Sequence, residues 1–378
     1  MTRWRAARSR PARRLARTAR WLALAVLGLS WLGLAGGVVA HGAVDPTPPS
    51  LWLMATAWHL DPTVLVPLVA TALAWLWVVR RIDRRHPHNP VPVPRTIAFL
   101  LGLLVIAVAL QSGVERYDTT LFSIHMVQHL LLILVAPPLL LLGAPITQLL
   151  RVVSPGFRRR ILLPVLHSGP IVFVSHPVTA WLLFTLVLWG THFSPLFDVA
   201  LENPRVHQLE HVLYLVAAIL FWFPVVGADP GPRPLGYPAR GLYLLLQMPP
   251  SSFLAMAVLF TDAPLYSHYA TLGAPYGVSA LADQQAAAGI MWVWSDVTFI
   301  AAILLLVGAW MRHDERRTIE VEARVDEQRA ALAARADRLA ASKAGAPAAG
   351  AAAAAGSAVG PSAGAAPQPG SGEASSAR

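Results

Sequence analysis

The sequence predicts an all-α protein, a polytopic bundle of transmembrane helices, and three observations carry that prediction. Of the 378 residues, 55% are hydrophobic and 13% are charged, whereas soluble domains carry about 25% charged residues. Mean hydropathy is +0.52. Seven stretches have the roughly 20 apolar residues that a spanning helix needs. The arginines gather in alternate loops, as the positive-inside rule requires of a multi-pass protein.

The N-terminal segment, residues 1–40, reads as a targeting element. Residues 1–20 contain eight arginines and no acidic residue, and the apolar run 21–40 follows them. Val38-Val39-Ala40 resembles the small-residue pattern that signal peptidase cleaves. The segment is therefore either a signal anchor or a cleavable signal peptide, and the sequence leaves both open.

Residues 41–311 are predicted to form a transmembrane domain with seven core spans. The predicted spans are 58–79, 96–112, 121–142, 177–193, 206–226, 241–261 and 286–311. A further apolar stretch at 154–176 is interrupted by Pro155, Pro164 and Pro170. We expect it to lie in the cytoplasmic membrane interface rather than to cross the bilayer.

Arginine placement gives the expected orientation in a bacterial cytoplasmic membrane. Loops 80–95, 143–176 and 227–240 hold eleven of the thirteen arginines between residues 21 and 311, and the alternate loops hold only Arg116 and Arg205. The first set is therefore predicted to be cytoplasmic and the second outside. The formal charge of +10 comes almost entirely from the leader. No basic face remains, which excludes a nucleic-acid partner and leaves the lipid bilayer.

The C-terminal part has two compositions. Residues 312–343 contain fifteen charges of both signs and are predicted to form a charged cytoplasmic helix. Residues 344–378 are rich in Ala, Gly, Pro and Ser, so we expect a disordered cytoplasmic tail.

Histidine pairs carry the candidate chemistry, because the chain has no cysteine. His125 and His129 lie four residues apart in the third span, and His207 and His211 do so in the fifth, so each pair shares a helix face. Both pairs fall at the predicted outer face, where imidazole is costly unless it is hydrogen-bonded or binds a ligand. These four are the principal candidate metal ligands. Four weaker candidates are His192, His59, Met126 and Met291.

Copper is the metal that imidazole and thioether ligands favour, above all as Cu(I). Three other interpretations stay open. Facing histidines could bind haem axially, or they could simply form hydrogen bonds between helices. A transporter would use the Pro249-Pro250 break and Asp296, an acid deep in the last span.

The segment His207-Gln-Leu-Glu210-His211 also fits the inverted zinc-protease pattern. That pattern needs a further acidic ligand and an accessible cleft. We favour instead a supporting role, in which Glu210 accepts a hydrogen bond from a neighbouring histidine.

Several motifs, in this order, resemble the CtaG family of assembly factors for caa-type cytochrome c oxidase over about residues 52–310. They are Ser123-Ile-His125-Met-Val-Gln128-His129, Ala136-Pro137-Pro138, Gly143-Ala144-Pro145, His207-Gln-Leu-Glu210-His211, Phe221-Trp222-Phe223-Pro224, Thr261-Asp262-Ala-Pro264-Leu265-Tyr266, Asp283-Gln284-Gln285 and Gly289-Ile-Met291-Trp292.

The resemblance implies seven helices and a non-enzymatic role in the respiratory chain, as a chaperone that helps to mature the oxidase by handling copper. The expected partners are cytochrome c oxidase subunits. Copper would be held near the outer leaflet by His125, His129, His207 and His211. The motif residues Gln128, Asp262 and Asp283 would support the ligands or the structure.

Overall fold

The computed structural model describes residues 44–344, which form helices joined by short connections, with no strand in that range. The leader and apolar segment, 1–40, and the predicted tail beyond Ala344 lie outside the described residues. The helices are α1 Leu51–Thr56, α2 Pro62–Arg85, α3 Val93–Gln111, α4 Gly113–Tyr117, α5 Phe122–Leu130, a π-helical turn Leu131–Val135, α6 Ala136–Leu142, α7 Pro145–Val152, α8 Pro155–Phe157, a second π-helical turn Arg158–Leu162, α9 Leu163–Leu166, α10 Gly169–Val174, α11 Pro177–His192, α12 Leu196–Glu202, α13 Pro204–Val226, α14 Tyr237–Leu259, α15 Ser267–Thr271, a 3₁₀ turn Pro275–Gly277 and α16 Ala280–Ala344.

The all-α polytopic fold class is confirmed. Within the described residues, six helices are long and apolar enough to cross a membrane. The fourth predicted span differs from the others, because α11 is only 16 residues long. It reaches spanning length together with α12, from which it is bent by 68°. Counting this broken pair as one span gives the seven that the sequence predicts. Nothing in 154–176 qualifies as a span, as expected.

Capping residues set helix boundaries that hydropathy alone misplaces. α2 begins at Pro62 rather than near residue 58, because Asp61 accepts a hydrogen bond from the Thr63 amide at 2.8 Å and Pro62 occupies the first turn. α16 begins at Ala280 rather than near residue 286. Asp296 therefore lies about 24 Å from the start of its helix. α14 passes through Pro249 and Pro250 as one helix.

A π-helical turn follows the first histidine pair, and the local sequence explains it. Pro137 has no amide hydrogen, so the carbonyl of Ile133 cannot receive its usual helical bond. The Trp222 indole of α13 donates to that carbonyl at 2.9 Å. The wider turn at Leu131–Val135 thus places a free carbonyl where a neighbouring helix satisfies it.

An arginine caps the C-terminal end of α13. Gly227 ends this helix in the left-handed region, with φ of 56°. The Arg240 guanidinium lies against Gly227 and donates to the carbonyls of Val225 and Val226. Among the described residues, those from Arg312 to Ala344 belong to a second unit. Between 312 and 340 its side chains are all exposed.

Candidate metal centre

The histidine pairs meet at one end of the bundle, where α5 and α13 begin and α11 ends; we call this the histidine end. His125 and His207 each occupy the fourth position of their helix, counted from Phe122 and Pro204. Their ring centroids lie 5.2 Å apart, with the planes inclined by 24°. One turn deeper, the rings of His129 and His211 are 5.7 Å apart. The two helices therefore present their pairs to each other in register.

Four buried side chains form a cluster with metal-binding geometry: His125, His129, His207 and Glu210. One donor atom from each lies within 4.8 Å of all the others. A tetrahedral ion with metal–nitrogen distances of about 2.0 Å holds its donors about 3.3 Å apart. Inward shifts of about an ångström would therefore complete a coordination sphere. The cluster contains Glu210 where the sequence suggests His211 as the fourth ligand.

Three members of this cluster, His125, His129 and Glu210, have side-chain polar atoms without a hydrogen bond to the described residues. Both ring nitrogens of His125 and His129 and both carboxylate oxygens of Glu210 are buried, with no hydrogen bond within the described part of the chain. Each buried polar atom left in this way costs about 1–3 kcal/mol. Several such atoms at one point are the arrangement that a cation satisfies. The residues present therefore fit a bound metal.

His211 is engaged elsewhere, through Gln128. The Gln128 amide nitrogen donates to the Ala109 carbonyl at 2.9 Å and to the Glu115 carboxylate at 2.5 Å. Its oxygen thus faces His211, whose Nε2 donates to it at 3.2 Å. This bond orients the ring of His211 and commits its Nε2 to Gln128 rather than to the cluster.

Two acids in the connection after α3 reach the site, although sequence reasoning does not single them out. The Asp118 carboxylate lies 3.9 Å from His207 Nε2. Burial, reinforced by the charge of Glu115, raises the pKa of Asp118 well above its usual range. The available signal is that two acids, Glu115 and Asp118, lie three residues apart at the end of α4, and that the one base between them, Arg116, pairs instead with Asp45.

Asp283, the first acid of α16, holds the start of α5. Its carboxylate accepts from the Phe122 amide at 2.5 Å and from the Ser123 hydroxyl at 2.5 Å. These groups stand at the N-terminus of a helix, where amides lack intrahelical partners and negative charge is favourable. Asp283 therefore positions the helix that carries His125 and His129.

Of the weaker candidate ligands, three meet in a cavity of about 20 Å³ beside the cluster. It is lined by Met126, His192 and Met291, together with His129, which also belongs to the cluster. His59 lies apart, in the exposed connection between α1 and α2. The first three are therefore placed where ligands could converge, and His59 is not.

The two remaining predicted acids lie outside the cluster. Asp262 is exposed in the connection between α14 and α15. Asp296 is half-buried and accepts a hydrogen bond from the Ser252 hydroxyl of α14 at 3.2 Å. Its partner is thus a neutral side chain just beyond the Pro249-Pro250 pair.

Aromatic side chains enclose the histidines. Phe197, from the short helix after the bend, has its ring centroid 5.1 Å from that of His125 and 5.6 Å from that of His192. Tyr266 stacks on Phe197 at 4.2 Å. This cover excludes water and lowers the local dielectric, which strengthens electrostatic interactions within the site.

The fold and the buried cluster together define a multi-pass membrane protein with a histidine–carboxylate centre at one end of the bundle. Comparison with known proteins gives its family. The model of the cytochrome c oxidase caa3 assembly factors matches residues 73–313. The chain belongs to this family, which confirms the resemblance carried by the motifs.

Three mycobacterial proteins are similar to this chain, and their names give no function. Uncharacterized proteins of Mycobacterium bovis and Mycobacterium tuberculosis are each 34% identical over 278 residues, covering 72% of this chain and 42% of the relative. One from Mycobacterium leprae is 32% identical over 289 residues, covering 74% and 43%. The chain thus spans less than half the length of these relatives. No solved structure matches it.

Proposed function

We propose that the protein is a non-enzymatic copper-binding assembly factor, which holds copper at the histidine end and delivers it to a cytochrome c oxidase subunit. The observation that carries the proposal is the cluster of His125, His129, His207 and Glu210, with donor atoms within 4.8 Å of one another. Membership of the oxidase assembly family supports copper as the bound metal and an oxidase subunit as its recipient, because the oxidase needs copper for its metal centres.

The donor set supports copper over hard cations. Imidazole nitrogen suits copper and zinc, whereas Mg²⁺ and Ca²⁺ prefer oxygen ligands. The adjoining cavity has room for an ion or a water molecule at about 20 Å³. A porphyrin is far larger, so these histidines are better suited to a single ion than to haem.

The charge distribution supports an outward-facing site. Around the transmembrane domain, Arg116 and Arg205 belong to the histidine end, and the other arginines between 44 and 311 lie toward the opposite end. Arginine-rich loops remain cytoplasmic. Copper bound at the histidine end would then reach the oxidase without crossing the bilayer.

Metal analysis of the purified protein tests the proposal. Wild-type protein, purified in detergent and equilibrated with Cu(I) under reducing conditions, should retain copper after desalting. The double variant His125→Asn, His207→Asn should retain less copper than the wild type, because two of the cluster's four metal ligands are removed. The matched control is His59→Asn, His88→Asn, which changes two exposed histidines and should bind copper like the wild type.

Two results would overturn the proposal. The first is equal copper retention by the cluster variant and the wild type, with both eluting as folded monodisperse protein. The second is a Soret band in protein purified from its membrane, since this would show that the histidines bind haem. In cells, the cluster variant should also lower the copper content of the oxidase.

A further inference from the structure

We infer that the cavity beside the cluster is a second copper site, specific for Cu(I), in which Met126, Met291 and His192 are ligands and His129 links the site to the cluster. The inference rests on the proposed function. It adds a second site whose ligands are softer than those of the cluster.

The cavity has donors from three helices. Met126 and His129 come from α5, His192 from α11 and Met291 from α16, and all four line the same space of about 20 Å³. A space of that size holds one water-sized occupant. The four side chains therefore line one space with room for an ion.

His192 is oriented as a metal ligand. Its Nδ1 donates to the Leu188 carbonyl at 2.8 Å, and the ring is further held beside Tyr214, whose hydroxyl lies 3.5 Å from Nδ1. Because Nδ1 carries the hydrogen, Nε2 offers its lone pair. Nε2 is buried and has no hydrogen bond within the described residues. Metal-binding histidines commonly combine a backbone bond on one nitrogen with a free lone pair on the other.

The two methionines make the proposed site selective for Cu(I). Thioether sulfur is a soft, uncharged ligand that selects Cu(I) over Zn²⁺ and over hard cations. Methionines alone would be ordinary core residues. Here they share a small cavity with an imidazole nitrogen that lacks a partner, and that combination is a binding site rather than packing.

His129 allows copper to pass between the two sites by ligand exchange. The bonds from Cu(I) to His125, His207 and Glu210 break, and bonds to Met126, Met291 and His192 form. The bond to His129 is common to both sites. Copper remains Cu(I) throughout, so the exchange needs no electron donor and releases no proton.

X-ray absorption of the Cu(I)-loaded protein tests the second site, because sulfur and nitrogen ligands scatter differently. Wild-type protein loaded with two equivalents of Cu(I), one for each proposed site, should show sulfur ligation. Met126→Leu, Met291→Leu should lose it and keep nitrogen ligation, since leucine preserves volume without the sulfur. In this variant, the Cu(I) affinity of the second site, measured against a chromogenic chelator, should fall about tenfold or more. The matched control, Met248→Leu, Met256→Leu, changes two methionines of α14 that do not line the cavity.

The outcomes separate this inference from the proposed function. Copper bound by nitrogen and oxygen alone in the wild type would overturn the second site and leave the cluster standing. Sulfur ligation that survives in Met126→Leu, Met291→Leu, or disappears in the control, would also overturn it. Wild-type protein that binds no copper would overturn the proposed function itself.

Discussion

Removing the carboxylate of Asp283 should weaken the fold and lower copper binding at the proposed metal centre. Asp283→Ala leaves the Phe122 amide without its 2.5 Å acceptor and the Ser123 hydroxyl without its own. A buried donor left unpaired costs about 1–3 kcal/mol, and loss of negative charge at a helix N-terminus adds about 0.3–1 kcal/mol. The Ser123 hydroxyl is half-buried and can turn to another acceptor. We therefore expect the free energy of unfolding to fall by about 2–4 kcal/mol.

Denaturant titration in detergent, followed by tryptophan fluorescence, measures that change, and a chelator competition measures copper affinity. The affinity should fall about 10- to 100-fold, because His125 lies in the turn that Asp283 holds. Asp283→Asn retains one acceptor oxygen and should show a smaller loss of both. Asp262→Ala is the control, since Asp262 is an exposed acid at the same end of the bundle and should change stability by less than about 0.5 kcal/mol. An Asp283→Ala protein as stable as the wild type would refute the assignment of Asp283 to the start of α5.

Two further predictions concern packing and orientation. Trp222→Phe should lower the free energy of unfolding by about 1–3 kcal/mol, because it leaves the Ile133 carbonyl beside the π-helical turn without its 2.9 Å donor; the same denaturant titration measures this. The absence of cysteine makes single-cysteine labelling of intact cells a direct test of orientation. A membrane-impermeant maleimide should label Thr271→Cys, at the histidine end, and should not label Ser154→Cys at the opposite end. The reverse pattern would contradict an outward-facing centre.

The spanning helices could be predicted because their length is a direct physical requirement of the bilayer. The fourth span shows the limit of that reasoning. Hydropathy counts apolar residues from 177 to 193 but does not detect the 68° bend that separates α11 from α12. Phe197 follows that bend and contacts His125, and hydropathy carries no information about the direction in which the chain turns between two helices.

The helical histidine pairs could also be predicted, since spacing by four places two side chains on one face. The sequence could not predict which of these residues would form the cluster, because His207, Glu210 and His211 all share a face of α13. The choice depends on Gln128, whose hydrogen bond to His211 comes from another helix. Asp118 was missed for a similar reason, since only the folded connection brings it to 3.9 Å from His207.

Register between α5 and α13 determines whether the four histidines form a site at all. Each helix has its histidines at positions four and eight, so the pairs face each other only if both helices begin at the same level. Asp283 fixes the start of α5, and the Asn203 side chain, which accepts from the Arg205 amide at 3.0 Å, fixes the start of α13. A slip of one residue in either helix would turn its histidines by about 100° and move them about 1.5 Å along the axis. Such a slip would separate His125 from His207, so the capping residues specify the geometry of the candidate metal centre as directly as the histidines do.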